Sequence, residues 1–210
     1  MIRLLLADDQ TLVRNALATM LDLEPDLTVV GQAGSCAGVL EQARALQPDV
    51  VLMDVQMPGN AALVDGIATT AALLAELPQT RVIVVTTFGR AGWLRRAMEA
   101  GAVGYLVKDA PVEQLVEAIR RVHQGLRAVD PDLAAASLSA GPNPLSEREQ
   151  EVLAAAADAR TTAEIARRVF LSEGTVRNHL SAAIGKLGVA NRGEAVRVAV
   201  DNGWLPGLSD

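Results

Sequence analysis

At 210 residues the chain has room for one large domain or two small ones, and with 50% hydrophobic but only 2% aromatic residues its core must be built from Leu, Val, Ile and Ala. No apolar run approaches the roughly 18 residues of a membrane span, no signal peptide precedes the first apolar run, and one cysteine, Cys36, excludes an internal disulfide, so the expected setting is cytoplasmic with no membrane association. A net charge of -6 argues against a bulk nucleic-acid coat.

The first apolar run, residues 2–7, reads as a strand ending in Asp8-Asp9. A helical pattern follows, with Val13, Ala16, Leu17, Met20 and Leu21 on one face, closed by Pro25. Strand-like 27–30 and a helix around 39–46 come next, then Val50-Val51-Leu52-Met53-Asp54, a continuous apolar run ending on a carboxylate. A helix from about Gly66 to Leu77, a strand over 81–86, a helix over 93–100, a strand over 104–107 and a helix over 112–124 complete five strand-then-helix units. That alternation predicts a parallel sheet covered on both faces, and right-handed crossovers leave few topologies, of which the flavodoxin-like, doubly wound order 2-1-3-4-5 is the expected one. Residues 126–144 turn to Ala, Ser, Pro, Gly and Asp, which marks a linker, ordered at most at its start, between a domain at 1–125 and a second at 145–210.

Beyond the linker the pattern is all-helical. Ser146 with Glu149 forms a capping box, and the helix it opens turns Val152, Leu153 and Ala156 inward. A short helix spans 162–169, and Phe170-Leu171 makes a tight connection. Ser172 can cap the next helix, whose apolar residues Val176, Leu180, Ile184 and Leu187 leave Thr175, Arg177, Asn178 and Ser181 on the open face. A last helix, from about Gly193 to Asn202, closes a four-helix domain. Residues 160–197 hold Arg160, Arg167, Arg168, Arg177, Lys186, Arg192 and Arg197 against three glutamates, a local net of +4 on an acidic chain. Such a face suits DNA, though charge alone also fits an ordinary solvated helix surface.

Chemistry concentrates at the strand ends of the first domain. In the predicted order Asp8, Asp9 and Asp54 meet at the topological switch point, where open α/β sheets bind ligands. Crowded carboxylates repel unless a cation neutralises them, and hard oxygen donors suit Mg²⁺. With such an ion present, Asp54 becomes a plausible nucleophile, forming an aspartyl phosphate. Thr86 and Lys108 end two further strands and offer a hydroxyl and an ammonium to the same phosphoryl group. Any one of these residues alone fits a strand-end cap or turn; four strand ends carrying acid, acid, hydroxyl and amine do not. Tyr105 lies on the last strand, placed either to report phosphorylation by rotating inward or simply to pack.

Asp8-Asp9, Asp54-Val-Gln-Met-Pro58, Val-Val-Thr86 and Gly104-Tyr-Leu-Val-Lys108 stand in the order and spacing of a two-component receiver domain, which residues 1–125 resemble. The resemblance implies that Asp54 is the phosphoacceptor and that Asp9, Asp54 and the backbone carbonyl of Gln56 bind Mg²⁺, with Asp8 helping through water. It makes Thr86 and Tyr105 the switch pair and Lys108 the phosphoryl contact. One feature departs from the pattern: six residues, Gly59-Asn60-Ala61-Ala62-Leu63-Val64, separate Pro58 from Asp65-Gly66, where the family usually has two.

Residues 145–205 resemble the LuxR-type helix-turn-helix, through Leu145-Ser-Glu-Arg-Glu-Gln-Glu-Val-Leu153, Glu164-Ile-Ala166, Leu171-Ser-Glu-Gly-Thr-Val-Arg-Asn-His179 and Lys186-Leu-Gly-Val189. Together the halves are similar to the NarL/FixJ class of response regulators. This implies binding of double-stranded DNA, a partner histidine kinase and a homodimer when phosphorylated. Arg177 suits guanine and Asn178 adenine in a major groove, though either can contact phosphate instead. Arg168, His179 and Lys186 are placed for backbone contacts, and Ser181 stands where the family often has a cation. Two other readings remain: a regulator that binds DNA without phosphorylation because of the long loop after Pro58, and a phosphohydrolase using Asp54. The second places Gln56 where such enzymes commonly carry a second acid.

Overall fold

A computed structural model describes residues 1–87, 91–131, 133–135, 143–159 and 161–205. The chain divides into two compact units, the first holding a sheet with its helices and the second the helices beyond residue 143.

In the first unit the strands are β1 (Ile2–Ala7), β2 (Leu27–Ala33), β3 (Val50–Asp54), β4 (Arg81–Thr86), β5 (Gly104–Val107) and β6 (Ala128–Val129). They form one parallel sheet in the order 2-1-3-4-5-6. The expected order is therefore present and gains a sixth strand. β6 lies in the stretch read as linker, where two residues pair with β5 at Gly104 and Tyr105. Two residues among Ser, Pro, Gly and Asp carry no readable period, so only the pairing reveals the strand.

The helices are α1 (Thr11–Leu21), α2 (Cys36–Leu46), α3 (Gly66–Glu76), α4 (Ala91–Glu99) and α5 (Val112–His123). Two cores lie on the two faces of the sheet. One joins α2, α3 and α4 to Leu5, Val51, Met53, Val84 and Tyr105; the other joins α1 and α5 to Leu4, Leu6, Leu52, Ile83 and Val85. This double cover explains why β3 shows no alternation: all five of its residues are buried. The inner face of α1 is rotated from expectation, since Ala18 and Leu21 are buried while Ala16 and Met20 are exposed. Cys36 is buried, and burial pushes its thiol pKa up, as expected of a small apolar core residue rather than a reactive one.

The second unit has α6 (Glu147–Asp158), α7 (Thr162–Arg168), α8 (Glu173–Leu187) and α9 (Arg192–Asp201). Its core gathers Val152, Leu153 and Ala156 of α6, Ile165 of α7, Val176, Leu180 and Ala183 of α8, and Ala195 and Ala199 of α9, with Ile184 and Leu187 packed against it. The helix-breaking residues 139–142 lie outside the described residues, as does Arg160.

Candidate functional site

Sheet register builds the first site. Ala7 of β1 pairs with Met53 of β3, so the next residue of each strand, Asp8 and Asp54, emerges side by side at the carboxyl edge. β4 and β5 pair Thr86 with Val107, and the amide of Lys108 donates to the Thr86 carbonyl at 2.7 Å. Lys108 is thereby aimed back over the acids. Its Nζ lies 2.7 Å from Asp8 Oδ2 and 2.8 Å from Asp54 Oδ2. The Gln56 amide donates to Asp54 Oδ1 at 3.3 Å. Asp8, Asp54 and Thr86 are buried, whereas Asp9 is exposed.

Carboxylate oxygens of Asp8, Asp9 and Asp54 all lie within 4.8 Å of one another. An all-oxygen donor set of this charge fits Mg²⁺ rather than a thiolate- or imidazole-seeking metal. Burial pushes the Asp54 pKa up, and the Lys108 ammonium only partly offsets this. Burial alone would depress Lys108, but its hydrogen bonds to Asp54 and Asp8 outweigh that and raise it. Lys108 thus acts as an internal cation for two acids that would otherwise repel. Replacing it by Met is expected to tighten Mg²⁺ binding about tenfold, because a unit charge about 4 Å from a dication repels it by about 2 kcal/mol even at the dielectric of bulk water. Calorimetric titration of the full chain with MgCl₂ measures this, and weaker binding by the variant would show that Lys108 does not compete with the ion.

Three supports of this site escaped the sequence reading. Gly66 approaches the Asp54 backbone so closely that a Cβ there would stand 1.8 Å from the Asp54 carbonyl oxygen, and its amide donates to Val55 at 2.9 Å. Asp65 caps α3 by accepting from the Ala68 amide at 2.7 Å, and its other oxygen takes Arg96 of α4 at 2.9 Å. Arg14 of α1 donates to the backbone carbonyl of Asp8. Only the Asp65-Gly66 pair left a trace in the sequence, as a helix start. The two arginines act across tertiary contacts that local pattern does not encode.

The six-residue stretch after Pro58 folds on itself. Asn60 Oδ1 accepts the amides of Ala62 at 2.9 Å and Leu63 at 3.0 Å, while the Asn60 amide donates to the Leu63 carbonyl at 3.0 Å. The Pro58 carbonyl accepts from Cys36 at 2.9 Å, and Leu63 packs against the core. Tyr105 is fully buried in the core that α2, α3 and α4 form on one face of the sheet.

The second unit presents the other site. Ser172 Oγ accepts the Thr175 amide at 3.1 Å and so starts α8 where expected. Arg177, Asn178 and Ser181 are exposed along one side of α8, Thr175 and His179 are half-buried, and Arg168 is exposed at the end of α7. The guanidinium of Arg177 folds back onto the Glu173 carbonyl at 3.3 Å, and that of Arg168 reaches the Ala155 carbonyl at 3.5 Å. Lys186 makes an ion pair with Glu149 at 2.7 Å.

That pair joins α6 to α8. Burial tends to raise the Glu149 pKa, but Lys186 and the Ser146 capping groups lower it overall from its ordinary 4.5. A depressed folded-state pKa gives stability that is complete above the unfolded value and is lost as pH falls through the folded value. Glu149→Gln is therefore expected to lower stability by about 1.5 kcal/mol near neutrality, with the deficit shrinking below pH 4.5. Urea unfolding followed by helical circular dichroism across that range checks it; a deficit independent of pH would contradict the ion pair.

Comparison with known proteins agrees with both halves. The model of the response regulator receiver domain matches residues 4–120, and that of the luxR family of bacterial regulatory proteins matches residues 143–199. The transcriptional regulatory protein DesR of Bacillus subtilis is 40% identical over 207 residues, covering 98% of this chain and 100% of its own. The uncharacterized transcriptional regulatory protein YvfU of the same organism is 42% identical over 205 residues, with 98% and 100% covered. Among solved structures, the response regulator ChrA of a heme-sensing two-component system is 36% identical with a TM-score of 0.56, covering 97% of this chain and 98% of that one. RcsB from Salmonella enterica serovar Typhimurium, solved bound to a promoter with the phosphomimetic BeF3-, shares the fold at a TM-score of 0.70 and 24% identity, covering 96% of this chain and 98% of its own. No helix among the described residues is long and apolar enough to cross a membrane. The chain belongs to the DNA-binding transcriptional response regulators that join a receiver domain to a LuxR-type helix-turn-helix.

Proposed function

We propose that a partner histidine kinase phosphorylates Asp54 and that this raises the affinity of the second unit for DNA, with residues 1–125 as receiver, 126–144 as a linker whose first residues join the receiver sheet as β6, and 145–210 as output. The observation that carries the reading is the convergence of Asp8, Asp9, Asp54 and Lys108 at one sheet edge, with Lys108 Nζ 2.8 Å from the proposed acceptor.

An Asp54 oxygen would attack phosphorus of a phosphohistidine; the O–P bond forms as the P–N bond breaks, and the imidazole leaves with its electron pair. Asp8, Asp9, Asp54 and the Gln56 carbonyl would hold Mg²⁺, which when bound neutralises charge on the transferring phosphoryl oxygens. Lys108, released from one carboxylate, would pair with the product, which carries roughly -1.5 to -2 in place of -1. Thr86 would turn its hydroxyl to the same oxygens, and Tyr105, its partner in the switch pair, would follow. The face of α4, β5 and α5 would then favour a homodimer, and the two output units would meet half-sites about one helical turn, or a multiple, apart. In each, Thr175, Arg177, Asn178 and Ser181 would face the major groove, with Arg168, His179 and Lys186 toward phosphates. The six residues between Pro58 and Asp65, beside the acceptor, favour a second reading, a phosphorylation-independent regulator. Incubating the full chain with a small phosphodonor and MgCl₂, then measuring intact mass, separates the two: one added phosphoryl group supports the switch, and none supports the second reading.

A further inference from the structure

Phe170 is the most exposed large hydrophobic residue among those described, at 94% of its surface. Its neighbours point the other way: Val169 is buried and Leu171 packs against the core of the second unit. The backbone at Phe170 is left-handed, with φ of 54°. This is the residue after the C-cap of α7, and the Leu171 amide donates to the Ala166 carbonyl at 3.0 Å. Such a bond closes a Schellman turn, whose left-handed position glycine normally fills. A side chain with a Cβ costs about 1 kcal/mol or more there. The fold gains no packing from the ring and bears its backbone cost, so the ring has its use outside the fold.

Its surroundings say what it meets. Exposed Arg167 and Arg168 precede it on α7, and Ser172, the N-cap of α8, follows two residues later. In helix-turn-helix proteins the N-terminal end of the second helix enters the groove, so the turn before it reaches the groove rim. Cations beside an aromatic ring match a surface that alternates phosphate with apolar sugar carbons and thymine methyl groups. We infer that Phe170 is a DNA-contacting residue, packing on deoxyribose carbons and thymine methyls at the rim of the groove entered by α8. The inference rests on the DNA-binding reading of the second unit.

The test uses the full chain and a duplex recovered from a random-sequence pool by the wild-type protein. Phe170→Gly relieves the left-handed strain and is expected to keep or raise the unfolding temperature while weakening duplex binding about tenfold. Because no charge is removed, the dependence of affinity on salt should keep the wild-type slope, whereas Arg168→Ala should reduce it by about 0.9. Phe170→Asn, which also tolerates the left-handed region, should behave as Phe170→Gly does. Duplex binding equal to wild type overturns the inference, as does a fall in unfolding temperature that accompanies lost binding in both variants. An altered monomer–dimer equilibrium with unchanged binding per protomer overturns it in favour of a contact between copies. Failure of the wild type to enrich any duplex would instead remove the DNA-binding reading itself.

Discussion

Asp54→Asn is expected to take up no phosphoryl group from a small phosphodonor with MgCl₂ and to lose the whole phosphorylation-dependent gain in DNA affinity. The substitution keeps the shape of a buried side chain at the end of β3. It removes the anionic nucleophile and one of three clustered carboxylates, and it leaves Lys108 paired with Asp8 alone. Those losses act on chemistry more than on folding. Asn retains one oxygen, which can accept from the Gln56 amide, and burial already penalises the charged form of Asp54. Basal DNA binding should therefore match that of the unphosphorylated wild type, as a gel-shift series run beside a mass measurement would show. If Asp54→Asn bound DNA as tightly as the phosphorylated wild type, the switch would not run through this carboxylate.

Arg177→Ala is expected to weaken specific DNA binding by about 1–3 kcal/mol, roughly five- to 150-fold, while leaving phosphoryl uptake unchanged. Arg177 is exposed on α8, and among the described residues its guanidinium is held only by the Glu173 carbonyl of its own helix. That bond is weak enough to exchange for a base edge. The form of the loss distinguishes two roles. A base contact costs affinity for the selected duplex and relaxes preference at one position. A phosphate contact weakens all duplexes alike and lowers the salt slope by about 0.9. Retention of full affinity and preference would place the DNA-reading surface elsewhere.

The parts of the fold legible in the sequence are those in which one local signal dominates. β3 was readable because burial on both faces produces an unbroken apolar run, and Asp54 stood out as the charge that ends it. The capping box at Ser146 and Glu149 was readable because both partners lie within one turn; the structure shows both of its bonds. β2 runs past its strand-like 27–30 because Gly31 and Gln32, which interrupt the apolar run, still pair with Leu5 and Leu6 of β1. The sixth strand and the rotated face of α1 were illegible for a related reason: short edge pairing and partial burial leave little period. At the candidate site, the identity of the acids and of Lys108 was legible from their positions at strand ends. The doubled ion pair of Lys108, the Arg96–Asp65 contact and the support of Asp8 by Arg14 were not. Each depends on how elements 6 to 100 residues apart approach one another, so composition and spacing carry no trace of the geometry.

Phe170 belongs to both categories. The tight connection at Phe170-Leu171 was legible, but the left-handed backbone and the outward ring were not, because a Schellman turn is normally announced by glycine.

In the proposed switch, phosphoryl transfer to the receiver changes what the helix-turn-helix does. Its most direct measurement takes one sample of the full chain and one selected duplex, before and after treatment with a small phosphodonor and MgCl₂, with intact mass recorded alongside affinity. The predicted result is one phosphoryl group added and tighter binding of the duplex in proportion to the fraction modified. A fully phosphorylated protein that binds the duplex no better than the untreated one would contradict it.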